Sequence, residues 1–161
     1  MHRKTKRVIL AAGALCGVAI VMALGYGQDV QNRVDGFLPY TDTAAVARGG
    51  QLYADYCASC HGANLEGQAN WRDRDADGYL PAPPHDASGH TWHHPDAQLF
   101  MITKFGTEAI VGNGYRSRMA GYQDMLTDAQ IAEVLAFIKS TWPKQIIEAH
   151  NKRNAVAALT N

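Results

Sequence analysis

The chain has 161 residues, with 15 basic and 15 acidic side chains, so its formal net charge is zero. That length holds one domain with extensions and excludes two full domains. Four basic residues, Arg3, Lys4, Lys6 and Arg7, crowd the N-terminus; the remaining 11 face 15 acids, a body of charge −4 without the basic surface that nucleic-acid binding requires. Three cysteines, Cys16, Cys57 and Cys60, exclude a disulfide framework.

Behind the basic end, Val8 to Gly27 is an almost unbroken apolar run without a charge. At ~1.5 Å per residue it reaches about the ~30 Å of a bilayer's hydrocarbon core. Residues 1–27 therefore read as an uncleaved single-pass anchor or as a cleavable secretory signal, with Ala23-Leu24-Gly25 as a weak cleavage site. Length favours the anchor. Either way the basic end stays in the cytoplasm and the rest is exported. The body is then periplasmic, held at a bacterial inner membrane or, after cleavage, soluble. Cys16 reads as a small apolar filler, because Gly13-Ala14-Leu15 lacks the small residue that directly precedes a lipoprotein cysteine. Residues 28–42 are polar, carry Gly36 and Pro39, and read as a linker.

Asp42 or Thr43 can cap a helix running through Ala44 and Tyr53 toward Cys57. Gly49 and Gly50 lie inside it, each costing about 1 kcal/mol relative to alanine, so a close approach of another backbone is expected there. Cys57-Ala58-Ser59-Cys60-His61 follows. A CxxC alone fits a redox dithiol, half a zinc site or a haem; the histidine directly after the second cysteine makes it a c-type haem attachment pattern. On a helical turn Cys57, Cys60 and His61 fall at i, i+3 and i+4, on one face. Two thiols there can form thioethers with a haem while the imidazole binds iron.

From Gly62 to Pro95 the chain is irregular, with Pro81-Ala82-Pro83-Pro84 at its centre. Packing on a porphyrin would order so long a loop. Pro95 opens a helix over Asp96 to Phe105, with Leu99, Ile102 and Phe105 facing inward, closed by Gly106. Thr107 to Leu126 reads as irregular. Thr127 and Gln130 form a capping box for a helix from Asp128 to Trp142, apolar at Ile131, Val134, Leu135, Ile138 and Trp142, with Pro143 as its stop. Residues 144–161 form a tail with some helical periodicity at Ile147, Val156 and Leu159.

A second axial ligand would come from Met119, from Met125 or from a histidine; Met101, mid-helix, is expected to pack. His85, His90, His93 and His94, with Trp92 among them, allow three readings: cover for the haem edge with bonds to its propionates, a copper site, or a histidine as the distal ligand.

Over Thr43 to Pro143 the chain resembles the class I c-type cytochromes. The likeness rests on Cys-x-x-Cys-His-Gly, a Gly/aromatic first helix, a proline-rich loop, a short helix ending in glycine, a methionine in a loop, and a last helix opening with Leu126-Thr127-Asp128. It implies an all-α cytochrome c fold, three to four helices around one covalent haem c, preceded here by the transmembrane segment. It also implies Met119 as distal ligand to the iron, although Ala120 stands where the family has proline. A carbonyl of Pro83 or Pro84 would orient His61, and Trp92 would lie in the supporting shell. The implied function is one-electron transfer between respiratory complexes, from a quinol-oxidising complex to a terminal oxidase, with no catalysis of its own. Arg116, Arg118 and Lys104 are candidates for positive charge near the haem edge. The alternatives are a fixed haem relay within an oxidase or dehydrogenase complex, a haem enzyme or gas sensor, and a copper-handling protein that uses the histidine loop.

Overall fold

Helix α1 (Thr43–Tyr56) begins where Asp42 leaves extended backbone and turns its carboxylate onto the amides of Ala44 and Ala45, at 2.9 and 3.2 Å. These are two of the amides that a helix start leaves without partners, and the negative charge also suits the positive end of the helix. The computed structural model describes residues 36–160. The proposed anchor at residues 1–27 and the linker up to residue 35 lie outside the described residues. No helix among the described residues is long and apolar enough to cross a membrane.

After α1 come α2 (Ala58–His61), a 3₁₀ turn (Thr91–His93), α3 (Asp96–Phe105), α4 (Thr107–Val111), α5 (Asp128–Ser140) and α6 (Lys144–Thr160). The described residues contain no strand, only an isolated bridge between Gly106 and Ala120. The fold is all-α, as expected.

The central contact is α1 against α5. A Cβ on Gly49 would lie 1.9 Å from the Glu133 carbonyl oxygen, so the two backbones touch only because residue 49 has no side chain. Gly50 is looser, 3.3 Å from the Phe137 ring. One turn on, Tyr53 is buried with its ring 5.4 Å from that of Phe137. Ile131, Val134, Leu135, Ala136 and Ile138 of α5 complete the core with Leu38, Leu65, Leu99, Leu126 and Trp142. The capping box of α5 is present: Gln130 donates its amide to the Thr127 hydroxyl (3.3 Å), and Thr127 donates its own to Gln130 Oε1 (2.9 Å).

Several expectations are corrected. Helix α5 ends at Ser140 instead of Trp142, because Pro143 disfavours helical backbone at the residue before it; Trp142 is nonetheless buried. On α3 the inward stripe is Asp96, Leu99 and Thr103. Phe105 and Met101 are exposed, so neither packs in the core. Thr103 can sit inside because its hydroxyl donates to the Leu99 carbonyl at 2.9 Å. The segment after Gly106 contains α4 where irregular chain was expected.

The tail is a 17-residue helix. Its buried residues are His150 and Asn154, while Val156 and Leu159 are exposed. His150 donates Nε2–H to the His94 carbonyl (2.9 Å), and the Asp96 amide donates to Asn154 Oδ1 (2.8 Å). The Asp96 carboxylate accepts from the Leu38 amide at 3.2 Å and stands 3.4 Å from His150 and 3.8 Å from Lys139 Nζ. Asp96, Lys139 and His150 are all buried. Burial first, and then the Lys139 charge, pushes the His150 pKa down to about 4. A polar seam therefore joins α6 to α3, α5 and the segment around Leu38.

Candidate haem site

Cys57 closes α1, and the chain then makes one helical turn: its carbonyl accepts from the amides of Cys60 (3.1 Å) and His61 (2.9 Å). The i, i+3, i+4 geometry read from the spacing is present. Gly62 leaves the turn at φ +82°, and the Tyr53 hydroxyl donates to its carbonyl at 2.9 Å, so the core of α1 holds the far end of the motif. Neither cysteine is in a disulfide; Cys57 is partly buried and Cys60 exposed. Burial, helped by Cys60, pushes the Cys57 thiol up to about 11.

His61 is buried. Its Nδ1 lies 2.8 Å from the Pro83 carbonyl oxygen. A carbonyl can only accept, so Nδ1 carries the proton and Nε2 presents its lone pair. Burial lowers the His61 pKa, the bond to Pro83 opposing it, which favours the neutral ring that a metal needs. Of the prolines considered, Pro83 is the one in contact. It is brought there by a zipper across the long loop: His61 O accepts from Gly67 N (2.7 Å), Ala82 O from Gln68 N (2.8 Å), and Leu65 O from His85 N (2.8 Å). Gly67 has φ +68°, and a Cβ there would fall 2.4 Å from Pro84 N and 2.6 Å from the Pro83 carbonyl carbon. Only glycine lets the strands of this loop close on each other.

The four loop histidines go to different places. His85 stacks on His61, ring centroids 4.0 Å apart at 22°, with Nδ1 2.8 Å from the Thr91 hydroxyl; burial, with His61 and His90 nearby, holds its pKa well below the usual imidazole range. Its carbonyl accepts from Trp142 Nε1 at 2.7 Å. His90 stacks on Trp71 and His93 packs on Trp92, while the His94 backbone meets α6. Among the described residues no three His, Cys, Asp or Glu side chains are grouped to hold a metal. Trp92 Nε1–H is buried and has no acceptor among the described residues.

Met119 lies on the segment between α4 and α5 and lines a surface cleft of about 530 Å³ with Phe105, Gly106, Ala109 and Arg118. Its amide donates to the Ser117 hydroxyl (3.1 Å) and its carbonyl accepts from Thr107 N (3.4 Å), tying it to the start of α4. Met125 is 53% exposed. The basic residues expected near the haem edge are paired: Lys104 with Asp128 at 2.7 Å, Arg118 with Asp75 and Asp77, and Arg116 with the Asp77 carbonyl at 2.8 Å.

Two unpaired thiols on one turn, a neutral imidazole with only Nε2 free, and a buried indole N–H lacking an acceptor are together what a covalently held haem with anionic propionates asks of its site. The cytochrome c family model matches residues 46–142, from within α1 to Trp142. The chain belongs to the cytochrome c family. Its cofactor is covalently bound haem c with its iron, and its activity is haem-based electron transfer, the non-enzymatic carrier role general in that family. No curated protein and no solved structure matches the chain. Helix α6, which brings His150 and Asn154 to the polar seam, lies outside the matched residues. The position of His85 had no signal in the sequence beyond its place after Pro83-Pro84.

Proposed function

We propose that this protein is a single-haem electron carrier in which Cys57 and Cys60 form the thioethers, His61 Nε2 binds the iron and Met119 supplies the opposite ligand. The observation that carries the reading is the orientation of His61, buried and committed through Nδ1 to Pro83. When bound, the haem supplies a one-electron iron couple. The Pro83 carbonyl draws on the Nδ1 proton and so strengthens Nε2 as a donor. His85 and the α1 core around Tyr53 keep water from the proximal ring, and Trp92 Nε1–H is the donor for a propionate. Met119 is preferred to Met125 because its segment is tied to α4 whereas Met125 is exposed. Were His61 and Met119 both to hold the iron, no position would be left for a substrate, and Met/His ligation would raise the potential.

Such a couple suits a shuttle between a quinol-oxidising complex and a terminal oxidase, docking through small, transient contacts. Cytochrome c domains are typically exported, which agrees with a periplasmic domain. An anchor at residues 8–27 would keep the carrier concentrated near its partners.

Visible spectra of the oxidised and reduced protein, beside Met119→Ala, test the ligand set. The native ferric protein is expected to show the weak sulfur-to-iron band and the variant to lose it. A native iron that is high-spin and binds carbon monoxide at neutral pH when reduced would make the carrier reading wrong.

A further inference from the structure

Arg116 and Arg118, both just before Met119, reach across the molecule to a turn some forty residues earlier in the chain. Residues 75–79 form that turn: Asp75 N donates to Tyr79 O (2.8 Å), Gly78 N to Asp75 O (2.9 Å), and Asp75 Oδ1 accepts from the amides of Asp77 (3.0 Å) and Tyr79 (2.9 Å). Arg118 spans Asp75 and Asp77. Arg116 donates to the Asp77 carbonyl at 2.8 Å and to the Tyr79 hydroxyl at 2.7 Å. Both guanidiniums also lie over the Tyr79 ring, at 4.2 Å for Arg116 and 4.1 Å for Arg118. Between the two arginines the Ser117 amide donates to Glu108 of α4 at 2.7 Å. The alternation Asp73, Asp75, Asp77, Gly78 is that of the first half of a calcium loop, but residue 84, where such a loop carries glutamate, is proline. Here the Asp75 oxygens are taken by amides and by Arg118, so the cation at this turn is a guanidinium.

We propose that Arg116, Arg118 and Tyr79 are positioning residues: they clamp the loop carrying Met119 onto the 75–79 turn and set how readily an external ligand displaces the methionine sulfur from the iron. This rests on the reading of Met119 as distal ligand. Arg118 immediately precedes Met119, so motion of the loop away from the turn and motion of the thioether away from the iron are one displacement. Arginine suits the task better than lysine, because one planar group meets two carboxylates and an aromatic face together. The clamp is at the surface, so it is sensitive to salt.

The experiment follows displacement of the sulfur-to-iron band by imidazole in the ferric, haem-loaded protein, comparing native with Arg118→Ala, Tyr79→Leu and, as a control on an unrelated surface ion pair, Arg48→Ala. Arg118→Ala and Tyr79→Leu are expected to start with the band intact and to lose it several-fold faster, while Arg48→Ala keeps the native rate. Raising the salt to ~1 M, where screening acts within about 3 Å, should speed the native protein toward the Arg118→Ala rate and leave that variant unchanged. Native rates in both clamp variants, or an equal acceleration in Arg48→Ala, overturn the clamp while leaving Met119 as the ligand. A native protein without the band overturns the ligand assignment, and the clamp with it.

Discussion

Gly49 and Gly50 are adjacent, chemically identical and on one helix, yet alanine should act on them in opposite directions. At position 49 the new Cβ would fall 1.9 Å from the Glu133 carbonyl oxygen and 3.1 Å from Phe137 Cβ. Close packing leaves no slack, so α1 and α5 must part by about 1 Å. Overpacking of this kind costs ~1–3 kcal/mol, and a backbone obstacle puts it at the upper end. The helix propensity of alanine returns about 1 kcal/mol, leaving a net loss of about 2 kcal/mol. At position 50 the nearest atoms are Phe137 ring carbons at 3.3 and 3.4 Å. That ring can yield by a few tenths of an ångström, so about half of the propensity gain survives, on the order of 0.5 kcal/mol. At about 4 °C per kcal/mol for a domain of this size, the two variants should melt about 10 °C apart. Thermal unfolding followed by far-UV ellipticity and by Soret absorbance measures both. Equal shifts of the same sign would refute the helix–helix contact as described.

Asp96→Ala removes the carboxylate that faces the buried Lys139 ammonium and accepts from Leu38 N; it should cost about 3–5 kcal/mol, read as a lower denaturant midpoint at unchanged slope. His150 ties stability to pH. Its folded pKa, about 4, lies below the 6.5 of a free imidazole, so as the pH falls the unfolded chain takes the proton first. Its contribution is therefore full above pH 6.5 and is lost between 6.5 and 4; unfolding free energies at pH 7 and pH 5 should differ by less in His150→Gln than in the native protein. Tyr53→Phe keeps the ring against Phe137 but loses the bond to the Gly62 carbonyl, which should cost about 1 kcal/mol in denaturant unfolding with the visible spectrum unchanged.

Features governed by near neighbours in the chain were legible beforehand. The capping box at Thr127 and Gln130 needs only those two residues, and both its bonds form. The single turn from Cys57 to His61 follows from helical spacing. A close approach was legible at Gly49 or Gly50 because glycine inside a helix is costly unless something requires it, and the structure puts it at Gly49. Phe105 misled, because an apolar residue at helical spacing is inward only if another element covers that side, and here the covered side runs through Asp96, Leu99 and Thr103. The tail misled in part: Ile147 packs against the core, but Val156 and Leu159 are exposed and the buried residues are His150 and Asn154, polar residues that are interior candidates only once their partners, the Asp96 amide and carboxylate and the His94 carbonyl, are known to be within reach.

The sequence by itself determined the cofactor chemistry and the starts of α1, α3 and α5, since a caps-and-spacing pattern is set by the rise and turn of the backbone. The tertiary structure decided that Pro83 rather than Pro84 holds His61, that His85 stacks on His61, and that Arg116 and Arg118, though at the surface, bind a turn some forty residues away. Each of those choices is among chemically equivalent partners. Sequence separation does not rank such partners; the packing of the whole chain does, by bringing one within hydrogen-bond reach and leaving the others outside it.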